Sequence, residues 1–465
     1  MLVVAAALAI VVQDRTALRA APQSSAPELT RLYQGELLEI RGESADYLKV
    51  YDYHLERGGY LRHEAARPLS LASTEAPQLL AVLRFLRDLP GSETLGISYG
   101  AAYLKAAPAG ALGAEPLDAI ARMAERLADQ ASGAGPQVGS ATARLEVVEQ
   151  FGIHTRSFER NRRLQVCYDG ELYRRVLASP EASAEERARA ALGLTRRDCV
   201  DPDLGPLIQA QADTASAALL EDIADRELSA LTRSRVQLRR ASVWSAVAYA
   251  QARAGASASQ AAAHALDALQ AVRMGDLGSD RRGEYMDALL RTAAIQWAAA
   301  PVTSQAGPLL LTTQPGTAGQ TCVALAMRAV PEVPLARRCT YGLVWTASAR
   351  TIAHGQAMVV AVQPLPCWRE LWVLHRTGGT WTIDTLFPGV EAPEMGYVDF
   401  AGFNPATGRL LIVREAREHG VYRRRFEVLV LDGLTPIRQA STPELLLDFR
   451  AAQDAQWLRN TLALH

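Results

Sequence analysis

The spacing of apolar positions changes twice along this chain of 465 residues. From 10 to 69 the apolar residues come in short runs: Ile10-Val11-Val12, Leu18, Leu29 with Leu32 and Tyr33, and Leu37-Leu38 with Ile40. Turn signals separate them, among them Ala20-Ala21-Pro22, Gln34-Gly35-Glu36 and Arg41-Gly42. Over 47–51 the alternation places Tyr47, Lys49 and Tyr51 on one face and Leu48 and Val50 on the other, and Gly58-Gly59 turns the chain before Tyr60-Leu61. Strands this short, with a turn between each pair, predict a small closed β-barrel over 10–69.

Beyond Pro68 the segment 70–75 reads as a linker ending in Ser73-Thr74-Glu75, and the period lengthens to three and four residues. Leu79, Leu80, Leu83, Leu86 and Leu89 mark a helix that Pro90-Gly91 stops. Helical patterns follow at about 94–106, 116–131, 140–153, 171–178, 184–194, 204–230, 234–254, 260–273 and 281–298. Their alanine content and short breaks predict closely packed antiparallel neighbours, so 76–300 is read as an α-helical domain, either a bundle or an irregular solenoid. No period of about 33–35 residues recurs in it.

At Ala300-Pro301 the period returns to two. Candidate strands lie at 309–312, 322–328, 343–346, 358–362, 370–375, 380–385, 397–402, 410–414, 426–431 and 437–439, predicting an antiparallel β domain over 301–442. Two stretches look like β-propeller blades: Leu371-Trp372-Val373-Leu374 with Trp381-Thr382-Ile383-Asp384, and 398–405 with 408–413 and 426–431. At about 40–45 residues a blade the region holds roughly three, below the usual four to eight, so closure is not expected. A helical pattern with Leu445-Leu446-Leu447, Phe449, Trp457 and Leu458 closes the chain over 443–465. The fold class read from these periods is multidomain α+β: a small barrel, a central all-α domain, and a β domain with a final helix.

Leu18-Arg19-Ala20 with Pro22, Gly35-Glu36, Tyr47-Leu48-Lys49-Val50 and Gly59-Tyr60-Leu61 resemble the bacterial SH3-like (SH3b) domain, with Tyr47 standing where a tryptophan is common. The resemblance covers the first seventh of the chain. It implies recognition of an envelope polymer, a peptide or a neighbouring domain, with Tyr33, Tyr47, Tyr51, Tyr53 and Tyr60 as candidate ligand-binding residues.

The net charge of -1 offers no global attraction to nucleic acid or an anionic membrane. The apolar run Leu2–Val12 is shorter than the roughly 20 residues that span a bilayer. Ala7-Leu8-Ala9 fits a secretory cleavage site without the basic residues that should precede it, so 1–9 is read as the remnant of a signal peptide, the other reading being a first strand. Export implies a periplasmic or other extracytoplasmic location, the alternative being the cytoplasm. Of the five cysteines none has C-x-x-C spacing. In an exported chain Cys167 with Cys199 and Cys322 with Cys339 are the expected disulfides, each closing a local loop, with Cys367 a buried thiol beside Trp368; the rival pairing is Cys339 with Cys367, and in a cytoplasmic chain all five would be buried reduced thiols.

Candidate chemistry is sparse. Gly96-Ile97-Ser98-Tyr99-Gly100 matches the G-x-S-x-G elbow of serine hydrolases, but no buried strand precedes it and small residues at helical spacing explain it by packing. His63-Glu64-Ala65-Ala66-Arg67 puts arginine where a zinc site needs a second histidine. Glu221, Asp222, Asp225 and Glu227 alternate with Arg226 and Arg233 as on a solvated helix face. No catalytic residue, metal or cofactor is therefore expected. The expected function is a non-catalytic envelope protein whose SH3b-like domain binds a peptide, cell-wall polymer or partner protein. The alternatives are a serine hydrolase using Ser98 or a helical scaffold for protein–protein interaction.

Overall fold

The computed structural model describes residues 7–460 apart from 109, 111, 134, 136, 161, 279–280, 302–306, 318 and 390–394. The chain packs as two compact units: 1–204 with 222–229, and 205–221 with 230–465.

The first unit opens with β1 (Ala7–Val11), β2 (Thr16–Arg19), β3 (Glu28–Leu32), β4 (Leu37–Ser44), β5 (Tyr47–Asp52), β6 (Arg57–Arg62) and β7 (Ala66–Leu69). Period-two alternation supplies one apolar face, whose core is Val11, Leu18, Leu32, Leu38, Leu48, Val50 and Leu61. The strands form one antiparallel sheet in the order β3-β2-β6-β5-β4-β1-β7. The barrel expectation fails: among the described residues β3 pairs only with β2 and β7 only with β1, so both edges stay open, and the β2–β3 hairpin joins the sheet through the pair Arg19↔Tyr60. Closure requires the outermost strands to bond each other. With the sheet open, the SH3b resemblance and the ligand binding it implied lose their structural basis. Ala7–Val11, whose first three residues belong to the suspected leader remnant 1–9, is a strand between β4 and β7, while 1–6 lie outside the described residues.

Helices α1 (Ala76–Leu86), α2 (Glu93–Ala106), α3 (Ala114–Ala131) and α4 (Val138–Glu149) follow. The hairpin β8 (Thr155–Arg160) and β9 (Arg163–Tyr168) comes next, then α5 (Glu171–Ala178) and α6 (Ala184–Leu194). α3 buries Leu117, Ile120, Met123, Ala124, Leu127 and Ala131 against Leu83, Ile97, Val148 and Val166, as its three-and-four spacing dictates. α6 begins at a capping box, Ser183 Oγ accepting from the Glu186 N–H at 3.3 Å and Glu186 Oε2 from the Ser183 N–H at 2.8 Å. Cys167 on β9 is bonded to Cys199, with 5.7 Å between their Cα atoms.

The second unit contains α7 (Pro206–Glu221), α8 (Ala230–Arg253), α9 (Ser259–Gln270) and α10 (Arg282–Ile295). Its strands are β10 (Leu309–Pro315), β11 (Thr321–Met327), β12 (Val330–Thr340), β13 (Leu343–Ile352), β14 (Ala357–Leu365), β15 (Trp368–Thr377), β16 (Thr380–Leu386), β17 (Met395–Asn404), β18 (Arg409–Glu418), β19 (Val421–Val430) and β20 (Pro436–Ala440). Two short helices, α11 (Leu447–Ala452) and α12 (Ala455–Asn460), end the described chain where one longer helix was expected. β10, β11 and β12 form a three-stranded sheet in which Cys322 and Cys339 stand in register and are bonded, Cα to Cα 3.8 Å.

The propeller-blade reading is also corrected. β13 to β20 bond laterally into one eight-stranded sheet, β13-β14-β15-β17-β18-β19-β20 with β16 on β15. The two supposed blades meet through a parallel contact, Trp368↔Gly396 and Arg369↔Tyr397, whereas propeller blades are separate sheets around an axis. α8, α9 and α10 pack on Met395 and Tyr397 of β17 through Leu238, Leu269, Leu289 and Leu290. Leu446, Phe449 and Trp457 close the chain against Leu411, Val413 and Phe426. Among the described residues no helix is long and apolar enough to cross a membrane. The architecture is thus α+β, with open sheets and a mainly helical middle.

Candidate functional site

The structure distributes the residues singled out from the sequence. Of the five tyrosines, Tyr47 is buried, Tyr33, Tyr51 and Tyr60 are half-buried, and Tyr53 is exposed. Tyr51 and Tyr53 meet edge to face at 5.0 Å, with the Arg41 guanidinium 3.8 Å from the Tyr51 ring centre. Arg41 and the Tyr53 hydroxyl both donate to Glu39, at 2.7 and 3.1 Å, so this patch is internally paired. His63–Ala65 is a single 3-10 turn leading directly into β7.

Ser98 lies inside α2. Its hydroxyl is buried and sits 2.6 Å from the Gly35 carbonyl oxygen and 2.9 Å from that of Thr94, tying the helix to the β3–β4 turn. The flanking glycines serve helix packing: a Cβ at Gly96 would stand 2.4 Å from Met123 Sδ, and one at Gly100 2.5 Å from Ile120 Cγ1. Ser98→Ala should therefore cost about 1–2 kcal/mol of stability in denaturant melts, by stranding a buried carbonyl. A reactive-serine probe should leave the wild-type chain unlabelled, and stoichiometric labelling at Ser98 would refute this placement.

Cys367 is half-buried rather than buried, and Arg291 Nη1 donates to its sulfur at 2.8 Å.

Two clefts gather ionisable groups that sequence reading passed over. In the first unit Leu48, Val50 and Asp52 share the inward parity of β5, so a carboxylate is carried to a buried position. Its Oδ1 accepts the His54 and Leu55 N–H groups at 2.7 and 3.1 Å, which shapes the β5–β6 turn. Glu36, one residue before β4, accepts the Tyr33 N–H at 2.9 Å through Oε1, and its Oε2 has no partner. Burial pushes the Glu36 carboxyl up to about 8, against the Tyr33 N–H and with the help of the nearby Asp52 and Asp14 carboxylates. Both acids line a cleft of about 210 Å³ with Thr30, Tyr33, His54 and Glu146.

In the second unit the same parity places Arg369, Leu371, Val373 and His375 inward on β15, Tyr397, Asp399 and Ala401 on β17, and Leu411, Val413 and Glu415 on β18. Arg369 Nη2 is 2.8 Å from Asp399 Oδ1, its guanidinium lies 5.1 Å from the Tyr397 ring centre, and Gln296 Nε2 reaches Asp399 Oδ2 at 3.4 Å. Glu415 is bonded by Arg424, yet burial outweighs that cation and pushes its carboxyl up to about 7. It borders a second cleft of about 210 Å³ with Arg282, Tyr285, Tyr422 and Arg423.

The signal for these groups was present in the sequence as charged residues at the buried parity of strands. Among the described residues no three His, Cys, Asp or Glu side chains converge as a metal site would require. No protein family, curated protein or solved structure matches this chain.

Proposed function

We propose that the chain is a non-catalytic scaffold whose helical surface binds a protein partner, and that it works in an oxidising, extracytoplasmic compartment. The observation that carries the partner reading is the exposure of large apolar side chains on helices: Phe85 on α1 at 71%, and Leu207 and Ile208 on the first turn of α7 at 72% and 53%. Aromatic and branched side chains held in water by rigid helices are favourable anchors for a partner, because little conformational freedom remains to be lost on binding. The two disulfides support the compartment, since such bonds persist where thiols are not kept reduced.

Cross-linking pull-down from a native extract tests the reading with wild-type chain, Phe85→Ser, and a Leu207→Ser, Ile208→Ser double variant. These exposed sites should tolerate serine within about 0.5 kcal/mol. A partner captured by the wild type should be depleted at least about tenfold by one of the variants, as loss of an anchor worth about 1.4 kcal/mol or more requires. Equal capture by all three would reject the helical surface as the interface.

A further inference from the structure

We propose that the cleft of the first unit, floored by Glu36 and Asp52, binds an alkylammonium or guanidinium group. This goes beyond the scaffold reading and does not depend on it.

An ionised carboxylate offers about four acceptor positions. Glu36 has one donor, the Tyr33 N–H, and an Oε2 with none, although its side chain is only 9% exposed. Asp52 receives two backbone N–H groups on Oδ1. Among the described residues no basic side chain is bonded to either acid. Arg31, at the rim, is held by Glu28 at 2.8 Å, and Arg144 of α4 is taken by Asp14. The other titratable groups facing the pair are Tyr33, His54 and, from α4, Glu146.

Glu36, buried beside a second carboxylate and without a countercation among the described residues, relieves the repulsion by holding a proton. A group that replaces that proton brings a single positive charge and several N–H donors, as an ammonium or guanidinium does. A divalent metal such as calcium would need about six oxygen ligands, more than two carboxylates supply. The cleft's 210 Å³ lies below the roughly 300–1,000 Å³ of drug-sized sites and suits one basic side chain or a small free amine.

Isothermal titration of the full chain with n-butylamine, and separately with the blocked peptide Ac-Gly-Lys-Gly-NH2, tests the proposal. Binding near pH 7 should release about one proton, read from the dependence of the heat on buffer ionisation, and the release should vanish above about pH 9 because Glu36 is then ionised beforehand. Glu36→Gln, which mimics the protonated acid, and Asp52→Asn, which keeps the turn's acceptor, should each weaken binding by at least about tenfold. Tighter binding of the peptide would assign the site to a partner's basic side chain; equal or tighter binding of butylamine would assign it to a free amine. Absence of binding by both ligands at millimolar concentration, or binding unchanged in both folded variants, would overturn the proposal.

Discussion

Replacing Arg369 by alanine should destabilise the second unit by about 3–5 kcal/mol, because it leaves Asp399 buried without its cation. Arg369 is fully buried, and Asp399 nearly so; burial pushes the Asp399 carboxyl up even with the guanidinium in place. Removal of the arginine also leaves Asp399 facing Glu415, a like charge that raises the cost further. A double variant, Arg369→Met with Asp399→Leu, should recover most of the loss, since an apolar pair carries no desolvation penalty. The measurement is unusually clean. All seven tryptophans, Trp244, Trp297, Trp345, Trp368, Trp372, Trp381 and Trp457, belong to the second unit, so tryptophan fluorescence in urea reports that unit alone. A loss below about 1 kcal/mol in Arg369→Ala would mean that water or another cation already serves Asp399.

Removal of either disulfide should cost nearly as much. Cys322 and Cys339 are 17 positions apart and Cys167 and Cys199 are 32 apart, for which loop-closure entropy predicts about 3 and about 4 kcal/mol respectively. Cys322→Ser should shift the tryptophan transition, because both ends of that bond are in the second unit. Cys167→Ser should leave it in place and lower a transition seen by far-ultraviolet circular dichroism, because β9 and the turn after α6 belong to the first. Thiol titration of unreduced, unfolded chain should find one reactive group, Cys367, and five after reduction. Five before reduction would remove the disulfides and with them the support for an oxidising compartment.

What the sequence by itself determined is the local layer. A period of three or four residues is a property of consecutive positions, so helices at 171–178 and 184–194 were legible to their ends and α2 and α3 to within two residues. Period two likewise located ten strands of the second unit. The misses are local conflicts: Thr155–Arg160 has a single apolar residue, Phe158, and with Arg163–Tyr168 lies between strong helical patterns, while β12 carries Pro331 and Pro334, which weaken a strand signal. The cysteine pairs were legible because each closes a short loop within one local unit.

The tertiary structure alone decided which edges meet. The same seven short strands satisfy their turn and burial patterns whether the sheet is closed or open, and the choice lies in distant pairings such as Ala9↔Leu38 and Ile10↔Arg67 that no local period encodes. The blade-like segments have the alternation of a propeller and the lateral bonding of one sheet, for the same reason. Charged residues at inward parity, Asp52, Arg369, Asp399 and Glu415, announce in the sequence that something must compensate them. Only the folded chain brings Arg369 against Asp399 and Arg424 against Glu415, and leaves Glu36 and Asp52 without a cation among the described residues, because compensation is settled by which strands and turns become neighbours in space.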